Sequence, residues 1–165
     1  MKTLYLMRHA KASNESPTFE DRDRALNERG NEDAPLIARA MQERRHVPDL
    51  ILCSSARRTQ ETCRHVVEVL GGHIPVVFEA DLYLATDDEI LEIIRAADPK
   101  ARALLVVGHN PGLEDLALSL GADSAPPKFP TCAVAVFRFD VENWNEVARR
   151  GGAFADYFTP KMLKA

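Results

Sequence analysis

Three short segments of this chain carry side chains suited to handling a phosphoryl group: Arg8-His9, Ser54-Ser55-Ala56-Arg57-Arg58 and Gly108-His109-Asn110-Pro111. Together they hold two imidazoles and up to three guanidiniums. Guanidinium forks match phosphate oxygens two at a time and stay charged at every accessible pH. A histidine beside arginines has its cationic form disfavoured, and the neutral imidazole is the form that attacks phosphorus. On that ground His9 is the candidate nucleophile. No carboxylate lies inside the three segments, although Glu61 and Glu114 follow shortly after. A metal-bridging site wants several Asp or Glu ligands at such a place, so phosphoryl chemistry with no metal and no cofactor fits better.

Each segment alone has an ordinary reading: a surface dipeptide, a solvated helix start, a turn before a helix. Their positions along the chain argue otherwise. Leu4-Tyr5-Leu6-Met7 reads as a first strand, buried on both faces because it does not alternate. Asn31 to Arg44 carries Ala34, Ile37, Ala38 and Met41 at the spacing of an amphipathic helix. Leu50 to Cys53 is a second strand, followed by a helix from about Ala56 to Leu70 that Gly71-Gly72 stops. Pro75 to Phe78 is a third strand, and Thr86-Asp87-Asp88-Glu89 has the capping-box spacing for a further helix. Ala103 to Val107 is a fourth strand, leading to a helix from about Pro111 to Leu120.

Strands alternating with helices predict a three-layer α/β sandwich, its sheet mostly parallel and covered by helices on both faces. Near the end the pattern changes: Cys132 to Phe139 alternates, Asp140 to Asn143 looks like a turn, and Trp144 to Ala148 reads as a returning strand. A C-terminal antiparallel hairpin is expected there. Residues 1–165 fit a single domain. In a parallel sheet the C-terminal strand ends gather along one edge, where ligands bind in open α/β folds. All three segments fall at such ends. Ser55 and Asn110 are placed to cap the helices that follow, whose free N–H groups favour an anion. The loop from Ala12 to Arg24 and the segment from Gly121 to Pro130 would frame the mouth.

Composition narrows the partners. Hydrophobic residues make up 45% and charged residues 28%, the proportions of an ordinary globular chain, and the formal net charge is -4. An acidic surface repels nucleic acid and anionic lipid, so neither is expected as a partner. No apolar stretch approaches the roughly 20 residues that span a bilayer. Arg8-His9 also interrupts the first apolar run before a signal-peptide cleavage site could form, which makes a cytoplasmic protein the simplest reading. Cys53, Cys63 and Cys132 are odd in number and lack metal spacing; buried free thiols, two in strand-like runs and one on a helix face, account for them.

These residues resemble a known family. Leu6-Met7-Arg8-His9-Ala10 resembles the Arg-His-Gly motif of the histidine phosphatase superfamily, which includes the phosphoglycerate mutases. Ser54 to Thr62 resembles its Ser-x-x-x-Arg-Ala-x-x-Thr segment, and Val107 to Pro111 its second-histidine segment. The compact length, Asp21-Arg22-Asp23-Arg24-Ala25-Leu26 and the closing Thr159-Pro160-Lys161 look most like the short SixA-type phosphohistidine phosphatases. The resemblance implies a phosphoglycerate mutase-like fold and a transiently phosphorylated His9, with Arg8, Arg58 and His109 on the phosphoryl oxygens. It offers Arg24, Arg57 and Asn110 as further substrate contacts. It also implies a substrate that is a phosphohistidine-bearing protein or a small phosphorylated molecule. Nothing in the sequence suggests an obligate dimer surface, so a monomer is expected.

Two departures stand out. Ala10 replaces the usual glycine. Asn110 follows the second histidine where acid phosphatases of the superfamily have an aspartate, and Glu79 and Asp81 are the nearest general-acid candidates after the third strand. Phosphohistidine asks less of a positioned acid than an alkoxide ester does, because its leaving group is an imidazole. Alternatives that stay open on the sequence are a small-molecule phosphomonoesterase or mutase, and a phosphate- or phosphoprotein-binding module without catalysis.

Overall fold

The computed structural model describes residues 1–165. Four strands are parallel, as the alternation predicts: β1 (Lys2–Arg8), β2 (Leu50–Ser54), β3 (Val76–Glu79) and β4 (Ala103–Gly108). Two more extend the sheet, β5 (Val134–Phe139) antiparallel to β1 and β6 (Gly152–Phe158) antiparallel to β5. The order across the sheet is β3-β2-β4-β1-β5-β6.

Alternation within the buried strands sends residues to two separate cores. Leu4, Leu6, Leu104 and Val106 face one side, where α3 (Asp87–Arg95) and α4 (Gly112–Leu120) cover them with Ile90, Ile94, Leu113 and Leu116. Tyr5, Met7, Leu105 and Val107 face the other, under α1 (Glu28–Glu43) and α2 (Arg57–Leu70), which contribute Ile37, Met41, Cys63 and Val66. A short α5 (Pro160–Lys164) follows β6. Thr86 and Glu89 form the predicted capping box on α3.

The structure corrects the hairpin. Its second strand is Gly152–Phe158, and Trp144–Glu146 is a single 3-10 turn. Trp144 and Val147 are buried three residues apart, the spacing of a turn, whereas a strand would send them to opposite faces. Trp144 is pinned there because its indole N–H donates to the Ala101 carbonyl at 2.8 Å. Cys132 also lies outside the strand: it has φ 64°, and its amide donates to the Arg8 and His9 carbonyls at 3.1 and 2.9 Å. All three thiols are free and buried.

Two glycines allow close approaches that shape the strand-end edge. A Cβ on Gly30 would meet the Lys11 carbonyl oxygen at 2.1 Å, so glycine lets the start of α1 press against the chain just past β1. A Cβ on Gly112 would meet the Ala85 carbonyl oxygen at 2.0 Å, which brings the start of α4 against the loop after β3.

Candidate active site

β1 and β4 are neighbours, yet the chain leaves β1 toward the α1 face and β4 toward the α4 face. Such a divergence opens a crevice at the C-terminal strand ends. His9 stands one residue past β1 and His109 one residue past β4. Their rings are 5.3 Å apart, tilted by 55°, and the His9 amide donates to the Gly108 carbonyl at 3.1 Å. From the first turn of α2, past the end of β2, comes Arg58. The three segments singled out in the sequence therefore meet, around a cavity of about 340 Å3 whose lining includes Arg8, His9, Arg24, Arg58, His109 and Asp21.

The partners of the imidazoles settle their protonation. His9 Nδ1 lies 2.7 Å from the Ala10 carbonyl, which only accepts, so Nδ1 carries the proton and Nε2 holds a free lone pair. Arg58 Nη2 donates toward His109 Nδ1 at 3.4 Å, which leaves His109 Nε2–H to donate to Ser54 Oγ at 2.7 Å. Burial pushes the His9 imidazole down to about 4, with Arg58, Arg8 and Arg24 adding repulsion. Burial also pushes His109 down to about 3, helped by His9 and Arg58. Both rings are neutral at ordinary pH, as the arginine-rich setting predicts.

Arg58 is almost wholly buried, with its side chain 4% exposed. It donates through Nη1 to the Asp21 carbonyl and through Nη2 to Asp21 Oδ2, both at 2.9 Å. Asp21 Oδ1 accepts from Arg24 Nη1 at 2.9 Å, and the Tyr83 hydroxyl donates to Oδ2. Tyr83's hydrogen bond, with those from Arg24 and Arg58, holds the Asp21 carboxyl well below the usual carboxylate range. Arg8 donates to the Phe129 carbonyl at 3.3 Å, and its Nε is buried without a partner. A bound oxyanion is the kind of group that satisfies such a donor.

Other expected residues fall differently. Arg57 points away: adjacent residues of a helix diverge by about 100°, and Arg57, half-exposed, pairs with Glu61 at 3.1 Å outside the cavity. Asn110 lines the cavity, but its amide is already engaged, donating to the Phe129 carbonyl at 2.8 Å and accepting from the Glu114 amide at 3.2 Å. Neither Glu79 nor Asp81 reaches the cavity. β3 is an edge strand two places from β4, roughly 10 Å at the usual strand spacing. The loop after it sends in Leu84, while Tyr83 reaches Asp21. Asp21 is the one carboxylate in the lining and was missed as a site residue, because a loop carboxylate has no periodicity to mark it.

The mouth is framed mainly by the Ala12–Arg24 loop. From the other expected segment comes the Phe129 carbonyl, while Ala122, Asp123 and Ser124 line a separate groove. Ser55 is exposed and caps nothing; Ser54 Oγ accepts from the Ala56 amide at 3.3 Å instead. Ala10 is buried with negative φ, so the absent glycine costs no backbone strain. Thr62 Oγ1 fixes it, accepting from the Ala10 amide at 3.0 Å and donating to the Arg58 carbonyl at 2.7 Å. No three His, Cys, Asp or Glu side chains are grouped to hold a metal ion, and no helix is long and apolar enough to cross a membrane.

Comparison with known proteins agrees with this geometry. Residues 4–83 match the histidine phosphatase superfamily, branch 1. An uncharacterised protein of Mycobacterium tuberculosis is 32% identical, the match covering 94% of this chain and all of that one. The chain belongs to the histidine phosphatase superfamily. Within the superfamily it is SixA-like. A SixA from Agrobacterium tumefaciens, a candidate phosphohistidine phosphatase, is 33% identical with a TM-score of 0.81, covering 96% of this chain and 98% of the other. A corresponding SixA structure from Nakamurella multipartita is 27% identical with a TM-score of 0.84, covering 96% of both chains. The fold is also that of an Escherichia coli protein assigned to α-ribazole-5'-phosphate dephosphorylation, at 16% identity and a TM-score of 0.67, covering 98% of this chain and 99% of that one.

Proposed function

We propose that this protein is a phosphatase that removes the phosphoryl group of phosphohistidine, free or on a protein, through a phospho-His9 intermediate. The observation that carries the reading is the His9 tautomer: Nδ1–H is committed to the Ala10 carbonyl, and Nε2 is an unprotonated nucleophile among guanidiniums. The likeness to two SixA structures described as candidate phosphohistidine phosphatases supports the same substrate class.

The chemistry then runs between like groups. The Nε2 lone pair of His9 forms a bond to phosphorus as the substrate's P–N bond breaks, and that electron pair returns to the leaving imidazole. The substrate ring keeps the proton on its other nitrogen and departs neutral. His9, protonated at Nδ1 and phosphorylated at Nε2, becomes the cation, and the Ala10 carbonyl stabilises it. Water then attacks phosphorus, the Nε2–P bond breaks, and both water protons leave on dihydrogen phosphate. No step needs a separate general acid. An alkyl ester would expel an alkoxide, which does need one.

Arg8, Arg58 and Arg24 hold the phosphoryl oxygens and offset the charge spread over them in the transition state. Burial is the main reason His109 is neutral, and a phosphoryl dianion bound beside it favours the protonated ring, which would donate to an oxygen as well. The buried free thiols fit a reducing, cytoplasmic setting.

Rapid quench with labelled phosphoramidate tests this reading. Wild-type protein should trap label in an acid-labile, base-stable linkage, and His9→Ala should trap none while keeping its fold. Label that survives in His9→Ala, or wild-type protein that binds phosphate without ever becoming labelled, would overturn the proposal.

A further inference from the structure

We infer that Asp21 makes the site selective for phosphoryl donors whose leaving group carries positive charge, such as a protonated phosphoimidazole, an inference that rests on the phospho-His9 reading. Asp21 is the only carboxylate lining a cavity otherwise built of cations, imidazoles and neutral groups. It bridges Arg24 and Arg58, each at 2.9 Å, and takes the Tyr83 hydroxyl as well. An ionised carboxylate offers about four acceptor positions, so these three donors leave one open. Phosphoryl oxygens that draw on Arg24 and Arg58 would free more.

The carboxylate is tied to the His109 side of the cavity. Tyr83 packs edge-on against His109 at 5.4 Å, and Arg58 Nη2 reaches both Asp21 Oδ2 and His109 Nδ1. No hydrogen bond joins it to His9, whose ring is held by Ala10. An in-line displacement expels its leaving group away from the nucleophile. A fixed negative charge on the cavity wall then acts oppositely on two kinds of donor. A phosphoimidazolium ring still carries part of its positive charge as the P–N pair returns to nitrogen, and is attracted. An ester oxygen gains negative charge as it takes the P–O pair, and is repelled.

Asp21 opens a single 3-10 turn, Asp21–Asp23, within the Ala12–Arg24 segment, and its side chain is 44% exposed, so neutralising it leaves the cores untouched. The test compares kcat/KM for phosphohistidine and for p-nitrophenyl phosphate in wild-type protein, Asp21→Asn and Asp21→Glu at neutral pH. Asp21→Asn should lower the ratio of kcat/KM for phosphohistidine to that for p-nitrophenyl phosphate about tenfold, the scale of one partly screened charge contact. Asp21→Glu, still charged, should keep the wild-type preference. An equal loss on both donors would reduce Asp21 to a support for Arg58 and overturn the inference. So would an unchanged ratio in Asp21→Asn, or a preference lost as fully in Asp21→Glu. If wild-type protein forms phospho-His9 and the ratio does not move, only this inference falls; if no phospho-His9 forms, the proposed function itself has failed.

Discussion

The two walls of the cavity are built differently. His9, Arg58 and His109 are buried at 8%, 3% and 2% exposure and stand on strand ends or in the first turn of a helix. Asp21 and Arg24 stand on a loop, with side chains 44% and 27% exposed, held by hydrogen bonds rather than by packing. Water screens the loop wall and hardly reaches the sheet wall, so a charge is worth more on the buried side. On the proposed reading, the division places bond-making on the buried side and discrimination between donors on the more exposed one.

Arg58→Ala should break that contrast most severely. It removes a buried guanidinium aimed at developing charge, and kcat should fall about 10²–10³-fold, measured with phosphohistidine at saturation. Acid separates the walls next. A protonated His9 has no lone pair to attack with, so kcat/KM should hold as pH falls through the ordinary histidine value of 6.5 and drop only near about 4, roughly tenfold per pH unit below that. An acid limb centred near 6.5 would mean that His9 is far better solvated than its burial requires.

Stability carries the same signature. Between 6.5 and about 4 the unfolded chain binds more protons at His9 and His109 than the folded chain does. The folded state should therefore lose stability as pH drops through that window, and His109→Ala should flatten the slope in denaturant titrations. Arg24→Ala, on the screened wall, should cost about tenfold in kcat/KM. Arg57→Ala should change it by less than about twofold, because its partner is Glu61 and its setting is solvent.

What was legible in the sequence follows the same division. Arg8, His9, Arg58 and His109 could be read because strand ends are marked by apolar runs and a parallel sheet forces those ends together. Asp21 and Tyr83 could not. Both lie in irregular segments whose path is set by tertiary contacts, and Asp21 was visible only as part of a familiar string. The resemblance offers Arg57 as a further substrate contact beside Arg58, but helical rotation turns it away from the cavity to pair with Glu61. The returning strand of the hairpin was misplaced for a related reason. Trp144 and Val147 are strongly apolar and suggest a strand, while the real one opens on Gly152 and alternates weakly. Ser54 and Thr62 were legible as the two ends of the Ser-x-x-x-Arg-Ala-x-x-Thr resemblance, but what they hold, His109 and the Ala10 backbone, is set by tertiary contacts that the spacing does not reveal.

The order of the strands has a consequence for how activity is born. β4 sits between β2 and β1, although it is made after β3, and it supplies one of the two facing imidazoles. Nothing in the first hundred residues can bring His9 against its counterpart until β4 slots into the gap between two strands made long before it. Pairings so distant along the chain are slow to close. A chain that ends after β3 holds His9 and Arg58 but lacks the opposing His109 ring. On the proposed mechanism, activity regained on refolding would report the insertion of β4 between β2 and β1.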